Sequence, residues 1–203
     1  MEEHWKNHQE NNEYYDFEIN GNIAERKISI SEALKLEKWD IITLQQVSNL
    51  SGIFKTYEPY LSALASVIRE DLPTVKLYFH QTWAYEIDSQ HEGFKNYNNN
   101  QHVMYKKIIS ATNKASKLIN AKLIPTGEVI QTLRDTLSEF DYEKGGLSLC
   151  RDGFHLSLDY GRFAAAATWL RVLTGIRFKK IDFENFDREL LNKILDVVGR
   201  FNW

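Results

Sequence analysis

One cysteine, Cys150, stands among 203 residues. That excludes an internal disulfide and any metal site built on paired cysteines, and it is compatible with a reducing compartment. Charge of one sign is lacking too. The net charge is −3, and 25 Lys and Arg residues are spread among 28 Asp and Glu, which leaves no basic footprint for nucleic acid or an anionic membrane. No segment approaches the roughly 18 consecutive apolar residues of a membrane span. The opening stretch Met1 to His8 is polar, without the apolar centre of an export signal. The expectation is a soluble chain with no export signal in these residues and with neither nucleic acid nor membrane as a partner. No internal repeat and no low-complexity linker divides it.

What the chain has is apolar and aromatic content, 43% and 13%, enough for one sizeable core. A single domain over 1–203 follows, with residues 1–30 as a peripheral arm and hairpin. Residues 1–13 read as a short polar helix or arm resting on the domain by Trp5. Tyr15 to Ile19 and Ala24 to Ile30 read as two strands joined at Asn20-Gly21, residues that tolerate the positive φ of a tight turn.

From residue 39 onward, short apolar runs alternate with segments of helical period, the pattern of a parallel sheet covered by helices. The fold class is α/β, with strands expected at Trp39 to Gln46, Val75 to Phe79 and Ala121 to Ile124. Helices are expected to carry Tyr57, Leu61, Leu64 and Ile68, then Met104, Ile108, Ala111, Ala115 and Leu118, and then Val129, Ile130, Leu133 and Leu137. Another, capped by Ser157 and ended by Gly175, would bury Phe163, Ala167, Leu170 and Leu173. A last helix from about 184 to 201 would present Phe186, Leu190, Ile194 and Val198.

In open α/β sheets, reactive groups collect on loops leaving the carboxyl ends of the strands. Three such loops are polar or aromatic: Gln45 to Asn49, His80 to Tyr85, and Arg151 to His155. In the third, a carboxylate three residues before a histidine in a turn suits holding the imidazole Nδ1–H while Nε2 takes a proton. Gly153 permits the tight turn. Asp88 and His91 repeat this spacing, so spacing alone does not choose; the position of Asp152 and His155 before a buried helix favours that pair. His80, Trp83 and Tyr85 suit an ester or sugar pocket, or an aromatic satellite core. His4 and His8, four residues apart, suit a metal only with a third ligand that nothing supplies. Phe183, Phe186, Phe201 and Trp203 form an aromatic stripe.

The string Arg151-Asp152-Gly153-Phe154-His155-Leu156-Ser157, followed by Gly161 to Ala166, resembles the last conserved block of the SGNH (GDSL-like) hydrolases. The segments Trp39 to Gln46, His80 to Tyr85 and Ile124 to Gly127 are similar to an uncharacterised bacterial branch of that superfamily. The resemblance implies a three-layer flavodoxin-like parallel sheet with helices on both faces. It implies a serine esterase needing no cofactor, with His155 as general base and Asp152 as its orienting partner. Its substrate would be a small-molecule or carbohydrate ester, acetylated carbohydrates included. For the superfamily's oxyanion-hole amide side chain, Gln46 and Asn49 are the candidates.

The chain departs from the superfamily at the nucleophile. No serine here sits in the Gly-Asp-Ser or Gly-Asn-Ser block, and Ser48 and Ser51 lie in a loop without it. The expected sheet therefore lacks its first strands, which leaves the Trp39–Gln46 strand with an edge to be covered by the 14–30 ribbon or by a second copy. Alternatives are a catalytically inactive remnant and a carbohydrate-binding or interaction module.

Overall fold

The computed structural model describes residues 1–178 and 183–201. The first element is α1 (Glu2–Gln9), followed by the hairpin β1 (Tyr15–Ile19) and β2 (Asn22–Ile28). Asn20 and Gly21, at φ 51° and 77°, make the turn between them. The second strand ends earlier than its sequence suggests, because Ser29 opens α2 (Ile30–Lys35) with a capping box: its hydroxyl accepts the Glu32 amide while the Glu32 carboxylate accepts the Ser29 amide.

Three short strands then build the sheet: β3 (Ile41–Leu44), β4 (Lys76–His80) and β5 (Lys122–Ile124), all parallel and in the order β3-β4-β5. Helix α3 (Tyr60–Asp71) links the first two, and α4 (Gln101–Leu118) the second and third. After β5 come α5 (Thr126–Thr136), α6 (Tyr160–Thr174) and α7 (Arg188–Arg200).

Side chains alternate across the sheet, as strand geometry requires. Ile42, Leu44, Leu77, Phe79 and Leu123 pack with Leu61, Ala65 and Ile68 of α3 and with Ala111 and Ala115 of α4. On the other face, Ile41, Tyr78 and Ile124 pack with Trp169, Val172 and Leu173 of α6. The result is the three-layer arrangement. A further cluster joins α5, α6 and α7 through Val129, Ile130, Leu133, Ala164, Ala167, Ile194 and Val198.

Several helical readings shift by a residue or a turn. Leu118 is 48% exposed rather than core, since it lies in the last turn of α4. Helix α6 is capped by Asp159; Ser157 serves it differently, by accepting the Gly161 amide at 2.9 Å. Its buried stripe runs through Ala164, Ala167, Thr168 and Val172, while Phe163, Leu170 and Leu173 are only partly covered. Helix α7 begins at Arg188, where Asp187 accepts the amides of Glu189 and Leu190. Phe183 and Phe186 precede it and meet edge to face, and Trp203 lies outside the described residues.

Among the described residues, β3 pairs with β4 alone. The hairpin forms its own two-stranded sheet and touches this region through the ring of Phe17, edge-on to Trp39 at 6.1 Å. It does not extend the sheet, so the outer edge of β3 is open in this structure.

Candidate active site

The Asp152 loop is a closed turn. Cys150 and Leu156 form an antiparallel bridge, and the Arg151 amide donates to the His155 carbonyl at 2.9 Å. Gly153 at the tip has φ +84°, and a Cβ there would lie 3.0 Å from the Ser89 Cα, so conformation and space both call for glycine. Asp152 uses its two oxygens differently. Oδ1 accepts the amides of Phe154 (3.2 Å) and His155 (2.8 Å), and Oδ2 faces the His155 Nδ1 at 2.7 Å.

With the carboxylate as acceptor, the imidazole proton sits on Nδ1, and Nε2 is left to take a proton. Partial desolvation opposes ionisation of Asp152. The bonds from the His155 ring, the His155 amide and the Phe154 amide outweigh it and lower the carboxyl to about 2. The two side chains are 54% and 41% exposed for His155 and Asp152 respectively. His155 is therefore reachable from solvent.

The loop after β4 is the bed on which this turn rests. The Phe154 ring packs on Tyr85 (5.8 Å), His91 (4.7 Å) and His155 (4.1 Å), and the Trp83 indole donates to the Phe154 carbonyl at 2.7 Å. The second Asp-x-x-His is split by its surroundings. Asp88 accepts the Tyr142 hydroxyl at 3.0 Å, whereas His91 Nδ1 accepts the Gly93 amide at 2.9 Å. That histidine is a turn cap.

At the carboxyl end of the sheet, period-two alternation sorts the two glutamines. Gln46 follows Leu44 toward the α3 face and is buried, with its amide donating to the Thr56 carbonyl and hydroxyl, both at 3.1 Å. Its oxygen accepts the Val47 amide at 3.0 Å. Both amide hydrogens are thus engaged, and the oxyanion role expected for Gln46 is corrected on that ground. Gln45, on the α6 face, is exposed, and its Oε1 faces His80 Nδ1 at 2.6 Å. Sequence reasoning passed over it because the register of the strand, and so the face, was not fixed by the pattern.

His80 is buried beneath Gln45, with Nε2 3.0 Å from the Thr126 hydroxyl and its ring 4.9 Å from that of Trp169. Burial lowers its pKa to about 4, so the ring is neutral near pH 7. With Oε1 accepting from Nδ1–H, the Thr126 hydroxyl donates to Nε2, and the NH2 of exposed Gln45 has no hydrogen-bond partner among the described residues. His80 is therefore a support for Gln45 and lacks a free ring nitrogen for a ligand.

Tyr85, read from sequence as a pocket residue, is fully buried and shares a 2.8 Å hydrogen bond with the Ser48 hydroxyl. A loop that is itself packed between α4 and the Asp152 turn offers no face to a ligand there. Asn49 enters through its carbonyl, which accepts from Tyr97 (3.1 Å) and Asn96 (3.2 Å). Trp83 is half-buried. His4 and His8 turn to Tyr15 and Ser31 respectively, and no group of three or more potential metal ligands occurs among the described residues.

A family model described as "Domain of unknown function (DUF4886)" matches residues 1–192. The crystal structure of a DUF4886 family protein from Bacteroides uniformis is 36% identical, with a TM-score of 0.85; the match covers 97% of this chain and 76% of that one. A structure described as a candidate SGNH hydrolase, from Slackia heliotrinireducens, is 18% identical over 70% of each chain, with a TM-score of 0.51. No curated protein matches. The chain belongs to the DUF4886 family and has the α/β fold of the SGNH hydrolases.

Proposed function

We propose that this chain supplies the acid–base half of a serine ester hydrolase. The observation that carries the reading is the 2.7 Å contact between Asp152 Oδ2 and His155 Nδ1 in a solvent-reachable loop. In this reading His155 Nε2 takes the proton of a serine hydroxyl as its oxygen attacks the ester carbonyl. The imidazolium, stabilised by Asp152, returns that proton to the departing alkoxide, which leaves as the alcohol. Water, deprotonated by the same nitrogen, then cleaves the acyl-enzyme to the carboxylic acid and regenerates the serine. The Gln45 NH2, held from behind by His80, is the side-chain donor for the oxyanion.

The substrate class is a small acyl ester, with acetylated carbohydrate favoured by half-buried Trp83 and Trp169, whose rings lie 6.4 and 4.9 Å from that of His80. None of the described serines is hydrogen-bonded to His155. Ser48 is engaged with Tyr85, and the Ser51 hydroxyl donates to the Ser48 carbonyl at 2.7 Å. The hydrogen bonds of the described residues therefore assign no serine the role of nucleophile. The same observation favours a second reading, a chain that keeps the pair without turnover.

A fluorophosphonate probe, which phosphonylates an activated serine with loss of fluoride, separates the two when applied to the full-length natural protein. The proposal expects one labelled serine and a labelling rate at least ~100-fold lower in His155→Ala. Labelling that is absent, or indifferent to His155→Ala, contradicts it and leaves the second reading.

A further inference from the structure

Beneath the Asp152 turn lies a pair of opposite charges that the proposed chemistry does not use. Glu86 and Arg134 are 2% and 7% exposed, and Arg134 Nη2 lies 3.2 Å from Glu86 Oε2. Taking two charges this far from water costs several kcal/mol, and an apolar pair of equal volume often serves stability as well or better. Charges retained in such a place point to a requirement for direction rather than for bulk cohesion.

The partners show what is being directed. The Ser148 hydroxyl lies 2.7 Å from Glu86 Oε2 and 2.8 Å from the Cys150 carbonyl, two acceptors that share its one proton, and the Ser148 oxygen accepts the Cys150 amide at 3.0 Å. Cys150 is one half of the bridge that closes the Asp152 turn. The Glu86 amide donates to the carbonyl of Gly153, at the tip of that turn, at 2.8 Å. Arg134 braces both sides, donating to the Ala84 carbonyl at 3.0 Å and to the Cys150 sulfur at 3.4 Å. Gln101, from the start of α4, donates to Glu86 Oε1 at 2.8 Å. The base and the tip of the Asp152 turn are thus both tied to one residue of the β4 loop, which is locked in turn by α4 and α5.

We infer that Glu86, oriented by Arg134, is a positioning residue that fixes the Asp152–His155 pair through Ser148 and Gly153. The inference rests on the reading of that pair as the acid–base half of a hydrolase. Its test needs no substrate, so the two can fail separately.

The readout is the titration of the Asp152 carboxyl, followed by carbon NMR in the folded protein and compared with Glu86→Gln. Removing a negative charge nearby lowers the pKa of a remaining carboxylate if nothing moves. Loosening the turn does the opposite, because the bonds from the His155 ring and from the two amides are what hold it down. The inference therefore predicts that the midpoint rises from about 2 toward the ordinary 3.8 in Glu86→Gln. Ser148→Ala, which changes no charge, is expected to move it in the same direction and decides the matter if Glu86→Gln does not fold. A midpoint that stays at about 2 or falls in every variant that folds, even with lowered thermal stability, assigns Glu86 a merely structural role and overturns the inference. A shifted midpoint in a natural protein that never turns over an ester leaves the positioning role standing and removes the proposed function.

Discussion

Asp152→Asn is expected to leave the fold in place and to lower ester turnover by the full-length natural protein on the order of 10⁴-fold. The reason lies in the division of labour between the two oxygens. Oδ1 anchors the turn by accepting the Phe154 and His155 amides, and an asparagine oxygen accepts the same two bonds. Oδ2 faces the ring at 2.7 Å, and there asparagine places an NH2, a donor where an acceptor stood. The imidazole must answer with an unprotonated Nδ1, which moves its single proton to Nε2 and blocks the nitrogen that the proposed function uses as base. Steady-state kinetics on a small acetyl ester, with circular dichroism to confirm folding, check this. A loss of less than ~10-fold with the fold intact contradicts the assigned tautomer.

The second large effect concerns stability in acid. Burial holds His80 at about 4, against 6.5 for an ordinary histidine. Between those values the unfolded chain takes up a proton that the folded chain refuses, so stability decreases as pH falls from about 6.5 to about 4 and the loss is complete below that. The difference corresponds to about 3 kcal/mol. Urea denaturation at pH 7, 5 and 4 is expected to show the natural chain losing about that much more stability than His80→Gln. The carboxylates that also titrate in this range are common to both proteins and cancel. Parallel losses in the two proteins contradict the buried, neutral assignment. Near pH 7 the variant also loses the support for Gln45, so its ester turnover is expected to fall although His155 is untouched.

Local relations were legible in the residues and distant ones were not. Asp152 and His155 meet because three residues of turn bring them together, and a glycine between them marks the turn. The Asn20-Gly21 hairpin and the alternation of strands with helices are equally local. The Ser29-x-x-Glu32 capping box was also there to be read, hidden inside a run that otherwise suits a strand. By contrast, Gln45 and Gln46 differ only in which face of β3 they occupy, and that depends on where the strand sits against β4. Tyr85 lies in a loop, where exposure is the ordinary expectation; packing against α4 and Phe154 buries it instead. Glu86 and Arg134 are 48 residues apart, and nothing in the pattern of charges pairs them. The split of Asp88 from His91 has one distant cause, the tyrosine at position 142, and one local cause, the helical turn opening at 92 that His91 caps.

If Asp152 and His155 form the base of an ester hydrolase, ester turnover depends on them. Hydrolysis of a small acetyl ester is to be measured with the full-length natural protein and with His155→Ala, at equal concentration and with folding verified. The natural protein is expected to turn the ester over, with a loss of at least ~10³-fold in the variant. Equal rates in the two, or no hydrolysis by either, would contradict it.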